Sequence, residues 1–147
     1  MAQQNHSYVF DSLGELKDAG LVAASAAATV DSAAKVLDLG ASSYFEGVVV
    51  IDATAIEVDS SNEKYEIEWQ LSSVSDFSTA ALVFNAATLK LGDSSVNGSG
   101  ADSAAGRYCL FVSNEFAGTV YRYARLYTRI AGTIATGINY SAFLAAR

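Results

Sequence analysis

YEIEWQL, residues 65–71, is the stretch on which the fold class turns. Tyr65, Ile67, Trp69 and Leu71 fall at every second position, with Glu66, Glu68 and Gln70 between them. A helix would scatter this pattern around its circumference, whereas an extended chain sends alternate side chains to opposite faces. The stretch reads as a half-buried strand with its acidic row toward solvent. Just upstream, Ser60-Ser61-Asn62-Glu63 is a turn cluster and Ala53–Val58 reads as a hairpin arm. GVVVID, residues 47–52, is a β-branched apolar run that suits a more fully buried strand.

Downstream, residues 72–80 are small and polar and read as a loop, and strand composition resumes over Ala81–Leu91. Residues 92–106, GDSSVNGSGADSAAG, read as a long flexible loop. Arg107–Val112 is a further strand, NEFAG at 114–118 a turn, and Thr119–Ile130 the longest strand candidate. Residues 21–40 are alanine-rich, which favours helix, yet no apolar stripe at 3.6 spacing survives. They read as extended arms and one short strand near Lys35–Leu39, with room for a short helix over Asp11–Ala19. Many short strands between turns predict an all-β chain, an antiparallel jelly-roll-like β-sandwich with an extended N-terminal region. The 147 residues suit a single domain, residues 1–33 forming an extended arm or irregular segment.

Composition narrows the function. Sixteen acids against nine bases give a net charge of −7, which repels a polyanion over most of the surface and argues against nucleic acid. With Cys109 and His6 as the only cysteine and histidine, neither an intrachain disulfide nor a Cys/His zinc site is expected. MAQQNHSYVF lacks the pattern of a signal peptide, and no apolar run nears the ~20 residues of a membrane span, so a protein maturing in a reducing cytosol is expected.

Catalytic groups are sparse. His6 falls in a polar tail, and Cys109 alternates with Arg107 and Phe111 as a small buried or interface residue would. Glu57/Asp59 and Glu66/Glu68 place carboxylates on one strand face as a glycosidase dyad would, but so does any solvated strand. Asp93, Asn97 and Gly98 match positions of a calcium loop, yet position twelve is Ala104. No enzyme and no cofactor is expected.

The most distinctive stretch is YRYARLYTRI, residues 121–130. Alternation puts Tyr121, Tyr123, Arg125, Tyr127 and Arg129 on one face, and Val120, Arg122, Ala124, Leu126, Thr128 and Ile130 on the other, core-facing one. The tyrosine–arginine face suits a strip that stacks bases or sugars, a subunit interface, or a ladder to acids such as Glu66 and Glu68, and the acidic balance favours interface and ladder over nucleic acid.

The run YRYARLYTRIAGTIATGINYSAFLAAR (121–147) resembles the ending of capsid cement (decoration) proteins of tailed bacteriophages. Tyr123, Arg125 and Leu126, the Gly132-Thr133 turn and the closing INYSAFL carry the likeness, together with VLDLG (36–40) and YEIEWQLSSVSDF (65–77). The resemblance implies a non-enzymatic jelly-roll subunit, made in the host cytoplasm and bound to the outer surface of the virion. It would act as a homo-oligomer, dimer or trimer, that clamps neighbouring copies of the major capsid protein. Tyr121, Arg122, Tyr123, Arg125, Tyr127 and Arg129 would then serve in strand ladders or subunit contacts. The alternative is a carbohydrate-binding, lectin-like sandwich that stacks sugars on Tyr121, Tyr123, Tyr127 or Trp69.

Overall fold

The computed structural model describes residues 14–146. Short strands come first: β1 (Glu15–Lys17), β2 (Leu21–Val22), β3 (Ala26–Ala27), β4 (Thr29–Val30), β5 (Ala33–Ala34) and β6 (Leu37–Asp38). Longer ones follow as β7 (Glu46–Ile56), β8 (Lys64–Ser72), β9 (Val83–Gly92) and β10 (Gly106–Ser113). After the hairpin of β11 (Glu115–Phe116) and β12 (Thr119–Val120), β13 (Tyr123–Ala131) and β14 (Ile138–Ala146) complete the chain.

These strands build two antiparallel sheets. The first runs β1-β14-β7-β10, with β2 also on β14; the second runs β3-β13-β8-β9, with β6 also on β13. From β7 onward the chain alternates between the sheets, except that β8 and β9 are neighbours in the second. That is the order of an eight-position jelly roll whose first two positions are filled by the broken pieces of residues 15–38. Alanine, serine and threonine dominate there, and small side chains bury too little apolar surface to hold long strands.

The core lies between the sheets. From the second sheet come Tyr65, Ile67, Trp69, Leu71, Ala124 and Leu126; from the first, Val49, Ile51, Ala53, Ile138, Tyr140 and Ala142. Burying each large apolar side chain contributes about 1.5–3 kcal/mol. Aromatic polar tips tie one sheet to the other. Trp69 Nε1 donates to the Ser113 carbonyl at 2.9 Å, and the Tyr140 hydroxyl meets Thr128 Oγ1 at 2.5 Å. Val48, Val50, Phe143 and Ala145 form a second buried apolar cluster on the opposite face of the first sheet.

Several expectations need correction. Ala53–Val58 is no hairpin arm to 65–71: Ala53–Ile56 extends β7, and the chain then crosses to the other sheet. Buried carboxylates hold that crossing. Glu57 accepts N–H bonds from Ala135, Thr136 and Gly137, and Glu63 accepts them from Ser60 and Asn62. Gly137, at φ +96°, is required here, because a Cβ would lie 2.1 Å from the Val22 carbonyl oxygen.

The polar row of β8 is not solvated either. Glu68 and Gln70 are each 4% exposed, covered by side chains of β13 and the loop after β8. Within the expected helix Asp11–Ala19, Glu15–Lys17 form β1 instead, and Asp11–Leu13 lie outside the described residues. The 92–106 segment, which reads as flexible, is instead cross-braced around a helical turn, α1 (Ser94–Asn97). Asp93 caps that turn at Ser95, and buried Asn97 donates to the carbonyls of Gly92 and Ala101. Strand 119–130 is broken by a bend at Tyr121-Arg122.

Candidate functional site

The bend has a cause. Asn114, fully buried, accepts from the Phe45 N–H and donates to the carbonyls of Ser43 and Tyr121, while the Tyr121 N–H returns to the Asn114 carbonyl. This node pulls residues 121–122 out of the ladder, so the alternation is lost locally at the bend. Arg122 therefore does not face the core as alternation through 120–130 predicts. It is exposed and paired side-on with Asp38, through Nε and Nη2 at 2.8 Å each. The Arg122 hydrogen bonds hold the Asp38 carboxyl down at about 2.

Beyond the bend the alternation is intact. Ala124, Leu126 and Thr128 are buried, opposite Leu71, Trp69 and Ile67 of β8. Arg125, Tyr127 and Arg129 point outward, opposite Gln70, Glu68 and Glu66. Arg129 reaches diagonally to Glu68, at 2.8 and 3.3 Å, rather than straight across to Glu66, which pairs with Lys64 at 3.1 Å. Glu68 also accepts from Gln70 Nε2 at 2.7 Å, so this buried carboxylate is well supplied with donors. Arg125 donates from Nε to Gln70 Oε1 at 2.9 Å.

The aromatic members are engaged too. The Tyr121 ring lies 5.0 Å from that of Phe84, which stacks on Phe116 at 5.6 Å. Arg122 sits over Tyr123 at 5.2 Å, and Tyr127 carries Arg125 and Arg129 at 5.3 and 5.4 Å. Arg125 lies closer still to Phe77, at 4.4 Å. Trp69 is fully buried, which removes it as a sugar-stacking platform.

Thus Arg125, Tyr127 and Arg129 meet in one cleft of about 380 Å³ with Glu68, Gln70 and Phe77. Tyr121 and Arg122 belong to the neighbouring bend, and Tyr123 opens β13 beside it. Phe77 escapes a reading by periodicity, since it stands alone in a polar loop; its aromatic character among small residues is the one available signal.

The remaining candidates resolve individually. Glu57 is a corner clamp, its carboxyl lowered by the backbone N–H groups of Gly137, Ala135 and Thr136. Cys109 is exposed rather than buried, because β10 is an edge strand that turns Arg107, Cys109 and Phe111 outward. Arg107 forms a side-on pair with Asp52 at 2.7 and 2.9 Å. His6 lies outside the described residues. Among the described residues no group of three or more His, Cys, Asp or Glu is placed to hold a metal ion.

Lys17 goes unnoticed in the sequence, yet it is buried. Its Nζ donates to the carbonyls of Asp18, Gly20 and Tyr140 at 2.8, 3.1 and 2.9 Å, and burial pushes its ammonium below the usual lysine range. Compared with known proteins, the chain matches no family model and no curated sequence.

Proposed function

We propose that this protein is a non-enzymatic capsid cement, or decoration, protein of a tailed bacteriophage. It sits on the outer surface of the virion and bridges neighbouring major capsid protein subunits, as a homo-oligomer. One observation carries the reading: the buried carboxylates, which include the dyad candidates Glu57 and Glu68, are committed to holding the body together. Glu57 and Glu63 clamp chain crossings, and Glu68 takes Arg129 and Gln70. What remains at the surface is adhesive in kind. Leu21 and Tyr44 are 61% and 56% exposed, and an arginine–tyrosine face lines the second sheet. The resemblance of 36–40, 65–77 and 121–147 to cement proteins points the same way.

A cement protein works by mass action. Binding the assembled shell but not its separated subunits raises the free energy of disassembly, and many weak bridging copies add through effective concentration. The test is release of DNA from purified heads under heat or osmotic shock, with and without saturating protein. Complete heads are expected to survive higher temperature. Equal survival would refute the reading, as would glycan binding that is lost with Tyr127→Ala in a protein that leaves heads untouched.

A further inference from the structure

The cleft on the outer face of the second sheet holds two guanidinium groups, Arg125 and Arg129, and one carboxylate, Glu68. Glu68 is already taken by Arg129. Four ion pairs form among the described residues, and Arg125 is in none of them. Its Nε is fixed on Gln70, while its two terminal amino groups make no hydrogen bond to the described residues. The cleft therefore carries one positive charge without a counter-charge.

That guanidinium is also held in place. Phe77 lies 4.4 Å from it and Tyr127 5.3 Å. Cation–π contacts of this kind are attractive and restrict the side chain before any ligand arrives. A second, independent feature marks the same spot. Phe77 sits at φ +51° although only 7% of it is exposed. A bulky residue in the left-handed region is a conformational outlier, and such strain concentrates at binding sites. Here it places an aromatic ring against the arginine.

We infer that Arg125 is a docking point for a single carboxylate side chain, an Asp or Glu, presented by a protein partner. The identity of that partner as a shell subunit rests on the cement reading above. A rigid guanidinium fork matches a carboxylate in two parallel hydrogen bonds, which neither an amide nor a hydroxyl can reproduce. A sugar acid fits less well, because the Tyr127 ring already carries Arg125 and Arg129. A polyanion is disfavoured by the net charge of −7. One isolated carboxylate on an otherwise complementary surface suits the site.

The direct test needs no variant. Isotope-labelled full-length protein is titrated with N-acetyl-glutamate α-methylamide and, separately, with its glutamine counterpart, following the Arg125 Nε–H and Tyr127 resonances. Saturable shifts at millimolar concentration, with the glutamine probe at least about tenfold weaker, are expected. Equal response to both probes, or tighter binding of glucuronate than of the glutamate probe, would overturn the inference. In parallel, Arg125→Gln and Arg125→Lys, checked for folding by Trp69 emission, are bound to protein-depleted heads. Occupancy should fall at least about tenfold for Arg125→Gln, with Arg125→Lys only partly restored. Heads that bind Arg125→Gln as well as wild type would remove the docking point and leave the cement reading intact. A glutamate response without any head binding would do the reverse.

Discussion

Thr128 and Tyr140 join the two sheets through one hydrogen bond inside the core, and a double-mutant cycle isolates it. Thr128 is 1% exposed and Tyr140 0%, with their oxygens 2.5 Å apart. Burial pushes the Tyr140 phenol up to about 12, so it stays protonated under ordinary conditions. Tyr140→Phe removes one oxygen and leaves the Thr128 hydroxyl buried without its partner. Thr128→Val, nearly equal in shape, does the converse to the Tyr140 hydroxyl. Each single change should cost about 1–3 kcal/mol, the penalty for an unsatisfied buried polar group. The double variant removes both polar groups together and should cost less than the sum by at least about 1 kcal/mol. For a chain of this length each kcal/mol moves Tm by about 2–4 °C. Urea unfolding followed by emission of Trp69, the sole tryptophan and fully buried, provides the assay. Unchanged m-values would show that the denatured state is comparable across the set. Additivity within about 0.5 kcal/mol would refute the claim that this pair ties the sheets.

Three further outcomes follow from the corners and edges. Gly137→Ala should cost more than about 2 kcal/mol, because its Cβ would strike the Val22 carbonyl. Gly118→Ala, at φ +80° with open space around it, should cost only about 1 kcal/mol, and thermal melts of both compare clash with conformational preference. Glu57 has its folded carboxyl below the ordinary value of 4.5, so its contribution is fully present above that pH and is lost as pH falls through the folded value. Denaturant midpoints from pH 7 to 3 should show the advantage of wild type over Glu57→Gln shrinking in acid; a constant gap would contradict the clamp. Cys109, exposed on an edge strand, should react with a thiol reagent in the native protein at nearly the rate seen in urea. A reaction that waits for unfolding would show the strand to be covered.

Period-two alternation makes β8 and the second half of β13 legible in sequence, because a strand packed on a core must segregate its side chains. It does not reveal which sheet a strand joins. Ala53–Val58 and 65–71 look like a hairpin because a turn cluster separates them, but whether a turn reverses or crosses depends on distant partners. Here those are the N–H groups that Glu57 receives from 135–137. Parity also fails at any unrecognised break. The buried Asn114 puts one at Tyr121-Arg122 and moves Arg122 to the surface. Glu68 and Gln70 read as solvated because alternation reports polarity, and only the fold brings Arg129 and Arg125 over them. Phe77 and Lys17 belong to no periodic pattern, so their burial follows from tertiary packing alone.

The inner and outer rows of β13 and β8 are not independent. Leu126 opposite Trp69 and Ala124 opposite Leu71 set the register, and a slip of one residue would drive Arg125 and Arg129 into the core. The apolar row thereby dictates, at strand spacing, that Arg125 lies beside Gln70 and that Arg129 reaches Glu68. A cleft fixed this way is held more rigidly than one assembled from loops, with Phe77 the aromatic wall that the loop after β8 supplies. The polarity difference across the strand does the rest. The inner face excludes water and favours the sheet contact, while the outer face keeps a guanidinium ordered but without a carboxylate of its own. The proposed docking role needs that combination, since a side chain already paired within the fold has nothing left to offer a partner.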